Sequence, residues 1–363
     1  MHKVSEISVS HHVRGLTNLF FRIFAAVKAI LITGASGFIG SFVVEEAVNR
    51  GMDVWAGVRA SSNRQYLQLP GIHVLNLDYS HGEGLGNQLA ACRDSLPGGR
   101  WDVVVHCAGV TKCADPADFD RVNHRQTVLL ATTLQRMDMM PRQFIFLSTL
   151  SIFGPIHDRT FAPICEEDEP HPDTAYGRSK LCAERDLQAI PGLPYVFLRP
   201  TGVYGPRERD YYLAMRSIRR HVDFAAGLGR QDLTFVFVHD VVQAVFLAIE
   251  KGVTRRAYIL SDGQVYSGRA FSDLVRRELG NPWVLRFACP LPLLWIISAV
   301  AGWWAGLWGR TCTLNRDKYR IMAQRSWQCD IEPAVRELGY QPAYGLERGV
   351  RQAVAWYKSE GWL

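Results

Sequence analysis

Ile30-Leu31-Ile32-Thr33-Gly34-Ala35-Ser36-Gly37-Phe38-Ile39-Gly40 reads as a short buried strand, a glycine turn and the start of a helix. Gly34 can take the backbone angles of the tight turn. Gly37 carries no side chain, so a pyrophosphate can approach the backbone. Gly40 lets the helix pack closely on the strand. The helix, expected over roughly Ser41 to Asn49, points its free N–H groups and positive dipole end at the phosphates. Gly51 stands where a C-terminal cap belongs. A glycine triplet alone is a weak signal. The β-branched run before it and the amphipathic stretch after it make this one a dinucleotide site.

Working outward, strand and helix patterns alternate, which argues a doubly wound parallel sheet. Asp53 to Val58 is the second strand. In an NAD-type site a carboxylate ends this strand and bonds the adenosine ribose; here Val58 holds that place and Arg59 follows. No carboxylate would repel a 2′-phosphate and Arg59 could clamp one, which favours NADP over NAD. Ile72 to Leu77 is a third strand, ending at Asp78, placed either to meet the adenine amino group or to cap the next helix. Asp102 to Val105 is an apolar run covered on both faces. It ends in His106-Cys107-Ala108-Gly109, where Ala108 and Gly109 let the chain pass beneath the cofactor and His106 reads as a structural hydrogen-bonder. A helix over Pro116 to Met137 carries Asn123. Phe144 to Leu147 is a fifth strand and ends in Ser148-Thr149-Leu150-Ser151.

Tyr176 and Lys180 lie four apart on the next helix, so they share a face. A nearby ammonium favours the phenolate, so the spacing predicts a lowered tyrosine pKa and a usable proton donor and acceptor.

Together these residues resemble the extended short-chain dehydrogenase/reductase family, which also contains nucleotide-sugar epimerases and dehydratases. The resemblance covers about residues 29–250. It rests on Thr-Gly-x-x-Gly-x-x-Gly at 33–40, the glycine-bearing strand end at 106–109, the Ser/Thr-rich strand end at 148–154 and Tyr-x-x-x-Lys at 176–180. Leu198-Arg199-Pro200, Val203-Tyr204-Gly205-Pro206 and Phe237-Val238-His239-Asp240 add to it. It implies an α/β, Rossmann-type sheet with a smaller C-terminal substrate lobe. It implies cofactor contacts from Gly34, Ser36, Gly37, Phe38, Ile39, Gly40, Arg59, Asp78, Ala108, Gly109, Tyr176, Lys180 and Pro200. It further implies that Lys180 holds the nicotinamide ribose, Thr149 hydrogen-bonds the substrate oxygen, and Tyr176 moves the proton as hydride passes to or from the ring. Asn123 matches the position that shapes the active-site helix, and a homodimer through two helices of the Rossmann half is usual in the family.

The chain has 363 residues, 48% of them hydrophobic, with a net charge of +6. Length and pattern divide it into an extension (1–28), a dinucleotide-binding domain (29–200, with 231–250 returning to it) and a lobe (201–230 and 251–363). Residues 1–26 imitate a signal peptide only loosely and read as an extension before a natural start at Val27; a short membrane anchor is the alternative. Nothing resembles a nucleic-acid-binding signature. The eight cysteines show no CxxC pair or Cys/His metal spacing, as expected of reduced thiols in a cytosolic protein.

Two features of the lobe point to different substrates. Phe287 to Gly309 contains no charged residue and reads as a hydrophobic lid or a peripheral membrane contact, with a packed or dimer-interface helix as the alternative. A hydrophobic segment here resembles the 3β-hydroxysteroid dehydrogenase branch, which implies an apolar alcohol or ketone as substrate. Against this, Arg207 and Arg230 flank the place where the diphosphate of a nucleotide sugar would lie. The apolar substrate ranks first and the nucleotide sugar second; a non-catalytic dinucleotide sensor would not need Tyr176, Lys180 and Thr149 together.

Overall fold

A computed structural model describes residues 29–113, 115–307 and 316–363. The N-terminal extension and the last two residues of the apolar segment lie outside these. Strand β1 (Ala29–Thr33) is fully buried, and its side chains alternate between two cores. Ile30 and Ile32 join Val54, Val103 and Ile145 on one face, while Ala29 and Leu31 join Val104, Phe144 and Phe146 on the other. A strand that must be apolar on both sides reads as an unbroken hydrophobic run, which is why this stretch was legible.

The other strands of the sheet are β2 (Asp53–Val58), β3 (Ile72–Asn76), β4 (Val103–His106), β5 (Gln143–Leu147), β6 (Tyr195–Pro200) and β7 (Arg256–Leu260). All pairings are parallel, in the seven-stranded order β7-β6-β5-β4-β1-β2-β3. β7 comes from within the stretch assigned to the lobe. The order reverses at β1 and β4, and a crevice opens beyond their carboxyl ends.

Helix α1 (Phe38–Asn49) follows β1 through the glycine turn. Gly34 has φ +65°, and a Cβ on Gly40 would stand 2.2 Å from the Gly34 carbonyl oxygen, so only glycine closes this turn. α2 (Gly82–Ala90) follows β3. α3, residues 117–136, is interrupted by a π-helical stretch, Asp120–Arg125, that carries Asn123. α4 (Ala175–Ala189) precedes β6. α6 (Val238–Lys251) returns to the dinucleotide-binding domain, and in the lobe lie α5 (Arg209–Arg219), α7 (Ala270–Glu278), α8 (Leu291–Leu307), α9 (Arg316–Ala323) and α10 (Leu346–Ser359). α6 packs on the sheet beside α1, burying Val241, Val245 and Phe246. No helix among the described residues is long and apolar enough to cross a membrane.

Candidate active site

The crevice beyond β1, β2 and β4 is lined by Gly34, Ser36, Gly37, Arg59, Ala108 and Gly109, as the motifs predict. Its lining also includes Ser62, Leu77, Tyr79, Val122 and Gln126, which no motif marked. Phe38, Ile39 and Gly40 form the first turn of α1, whose N-terminus has no side-chain cap. An uncapped helix start facing a side-chain-free turn suits a pyrophosphate, so these residues fit a dinucleotide. Arg59 is exposed at the rim, its backbone N–H donating to Ser62 Oγ. Pro200 is buried at the end of β6.

Asp78 lies apart from this lining. It is exposed, and its carboxylate accepts from the backbone N–H of Ser80; the Ser80 hydroxyl first, and then that N–H, hold its pKa below the usual value. α2 begins four residues later at Gly82, with His81 at its N-cap position and no side-chain cap, so Asp78 does not cap that helix.

The second half of the site is built by β4, β5, α3 and α4. The β4 strand end is fixed by Asn123: its Oδ1 accepts from Val110 N at 2.7 Å, and its amide donates to Val110 O and to Ser179 Oγ on α4. His106 is buried between Thr33 Oγ1 (2.7 Å from Nδ1) and Thr127 Oγ1 (2.9 Å from Nε2). Thr127 already donates to the Asn123 carbonyl, so His106 carries its proton on Nε2. Burial pulls its pKa down to about 3, with Lys180 adding to the effect, and it stays neutral as a structural linker.

Lys180 Nζ donates to the Leu147 carbonyl at 2.7 Å and lies 4.4 Å over the Phe146 ring. A Cβ on Gly109 would stand 3.4 Å from that nitrogen, which places the ammonium at the crevice wall. Burial lowers its pKa to about 8, so it is charged at neutral pH with donors left for a ribose.

α4 starts at a cap: Thr174 Oγ1 accepts from Gly177 N at 3.0 Å. Tyr176 therefore projects from the first turn, and its phenol lies near enough to the Thr149 hydroxyl to feel it. The structure thus brings Tyr176, Lys180, Thr149 and Asn123 to one place. It corrects the expected pKa, however. Burial pushes the Tyr176 phenol up to about 12 and the neighbouring Thr149 hydroxyl lowers it only in part. Lys180 turns to Leu147 rather than to the phenol, so the ammonium does not set the tyrosine's acidity in the protein alone.

One contributor had no sequence signal. Asp317, on α9, accepts from Ala175 N at 2.8 Å and Tyr176 N at 3.2 Å, capping the helix that carries Tyr176. Arg320 of α9 donates to the Asp173 carbonyl, and Lys318 reaches Asp210 at 3.3 Å. α9 is therefore bolted to the start of α4 by groups 142 residues away in sequence.

With this geometry in view, likeness to known proteins becomes specific. A family model for the NAD dependent epimerase/dehydratase family matches residues 30–261. The chain belongs to this family. The match takes in the glycine turn, the Tyr176–Lys180 helix and the sixth and seventh strands, so this is an extended short-chain dehydrogenase/reductase that uses NAD or NADP. Among relatives of this epimerase/dehydratase chain, UDP-glucose 4-epimerase of Vibrio cholerae is 26% identical over 90% of this chain and 94% of its own. Sterol-4-alpha-carboxylate 3-dehydrogenase, decarboxylating, of Dictyostelium discoideum is 25% identical over 89% and 99%. The crystal structure of a Thermotoga maritima UDP-glucose 4-epimerase with UDP-glucose is similar in fold, with a TM-score of 0.72 and 23% identity over 92% and 99% of the two chains. The two curated relatives named here carry one nucleotide-sugar and one sterol activity, as the lobe's two features do.

Proposed function

We propose that this chain is an NADP-preferring oxidoreductase acting on a secondary alcohol or ketone of an apolar substrate, such as a 3β-hydroxysteroid. The observation that carries this reading is the disposition of Arg207. Its guanidinium donates to Ser41 Oγ at 2.9 Å and Glu45 Oε1 at 2.6 Å and lies between the Phe42 and Tyr66 rings, at 4.2 and 4.1 Å. It is committed to α1 rather than offered to a diphosphate. Arg230 in turn forms a two-pronged pair with Asp232. The sterol dehydrogenase among the relatives adds weight.

Bound nicotinamide supplies the hydride chemistry. The chain's own part is to hold the substrate oxygen between Thr149 and Tyr176, to move the proton at the Tyr176 phenol, and to bind the ribose with Lys180. With its phenol protonated at neutral pH, Tyr176 is set to donate during reduction. Oxidation needs the phenolate, so its rate should climb with pH while reduction is favoured on the acid side.

A screen of steroids, other apolar alcohols and nucleotide sugars, followed by absorbance of the reduced cofactor, tests the substrate class. Continuous cofactor reduction with an apolar alcohol is expected; tight binding of a uridine diphosphate sugar with no net cofactor change would reverse the ranking. Cofactor choice has its own test. Arg59→Ala should weaken NADP binding by about tenfold and leave NAD binding nearly unchanged, as expected for loss of one charge-assisted phosphate contact. Equal effects on both cofactors in a fluorescence titration would remove Arg59 from the reading.

A further inference from the structure

Of the fifteen exposed large apolar side chains among the described residues, eleven fall within 222–228 and 283–300. They are not scattered. Val222–Ala226 pairs in parallel with Leu285–Cys289, in the register Val222 to Leu285 and Phe224 to Phe287. With a period of two, these four exposed side chains share one face of the ribbon. The ribbon runs into α8, which is anchored through Leu294 against Ala226 and Cys289. From it Trp295, Ile296 and Val300 stand half or more exposed. α8 has 17 residues and no charged one, which makes it about 26 Å long, shorter than the hydrocarbon core it would have to cross. No helix among the described residues is long and apolar enough to cross a membrane, so this one can meet a bilayer only along its side.

Charge around this face selects the occupant. α5 leads directly into the ribbon and carries Arg216, Arg219 and Arg220, all exposed and without an acidic partner among the described residues. At the other end, Arg316 and Arg320 line a 280 Å³ cavity with Trp295 and Tyr319. Two guanidiniums beside two aromatic rings, at the foot of an apolar helix, match a phosphate headgroup at a membrane interface. A second copy docking here by two-fold symmetry would bring its own arginines towards these, at a repulsive cost.

We propose that the ribbon 222–226/285–289 and α8 form a docking face for an anionic phospholipid bilayer, seated by Arg216, Arg219, Arg220, Arg316 and Arg320. Arg316 faces this surface and its neighbour Asp317 caps the Tyr176 helix, so the bilayer lies beside the entrance to the active site. The docking face stands on its own observations and does not depend on which substrate the site takes.

The test is co-sedimentation of the full chain with vesicles of phosphatidylcholine, with and without about one-third phosphatidylglycerol. Binding to the anionic vesicles is expected, weakened by salt. The double variant Trp295→Glu/Ile296→Glu should lower partitioning at least about tenfold, and Arg219→Ala/Arg316→Ala should lower it for anionic vesicles alone. Both should keep wild-type cofactor affinity, which shows that they fold. No binding of the wild-type chain to either vesicle, or binding undiminished in Trp295→Glu/Ile296→Glu, would overturn the proposal. So would loss of a dimer in light scattering without any vesicle binding, which would give this face to a second copy.

Discussion

Tyr176→Phe should fold, bind cofactor with wild-type affinity, and turn over at least about a hundredfold and up to about ten-thousandfold more slowly. The change removes one oxygen. The ring keeps its edge contact with Phe119, at 6.0 Å between centroids, and the backbone cap from Asp317 is untouched, so nothing structural is lost. What goes is the only group in the Thr149–Tyr176 pair that can pass a proton to or from the substrate oxygen without leaving its place. Lys180 cannot substitute, because it is held by the Leu147 carbonyl against the crevice wall. Thr149→Ala should be milder, since it removes a donor to the oxyanion but not the proton carrier. Single-turnover kinetics with a fluorescence titration of cofactor separate these effects; undiminished turnover in Tyr176→Phe would refute the assignment.

Gly40→Ala should act on the fold and the cofactor site together. The added methyl would stand 2.2 Å from the Gly34 oxygen, 2.9 Å from its carbonyl carbon and 3.1 Å from the Ala35 Cα, all of them backbone. No rotamer relieves that contact; the turn between β1 and α1 must open. Overpacking of this kind costs about 2–3 kcal/mol, and the cofactor's phosphate seat shifts with the turn. Thermal unfolding should show a clearly lower midpoint, and cofactor affinity should fall by more than about tenfold. Gly51→Ala is the control: at φ +71° it is strained, but a Cβ there meets nothing within 4 Å, so the cost is about 1 kcal/mol and cofactor binding is unchanged. Equal destabilisation by the two variants would mean that close packing of α1 on β1 is not what Gly40 provides.

Much of this site was legible because its chemistry is local. The β1 turn and α1 are contiguous, and Tyr176 and Lys180 share one helical face, so spacing alone places them. The ends of the strands predicted where the crevice would be. What escaped was non-local or depended on competition between effects. Asp317 is an unremarked acid in a charged stretch until the lobe folds back on α4. Arg207 carries the right charge for a diphosphate, and only the folded chain shows it against Glu45, Phe42 and Tyr66. The Tyr176 pKa depends on whether burial or the nearby ammonium prevails, and spacing reports only the second. The apolar run that begins at Phe287 is a strand before it is a helix, because its first residues pair with 222–226, and hydropathy cannot show a pairing partner. Asp78 does not cap α2, because its carboxylate turns to the backbone N–H of Ser80 instead.

The account turns on hydride passing between nicotinamide and a substrate that leaves as a different compound. The direct measurement supplies cofactor deuterated at nicotinamide C4, adds an apolar ketone, and reads the released product by mass spectrometry. Deuterium on the carbinol carbon, formed by the wild-type chain and lost in Tyr176→Phe, is the predicted result. A nucleotide sugar inverted at one carbon, with no net consumption of cofactor and no label in any apolar product, would contradict it.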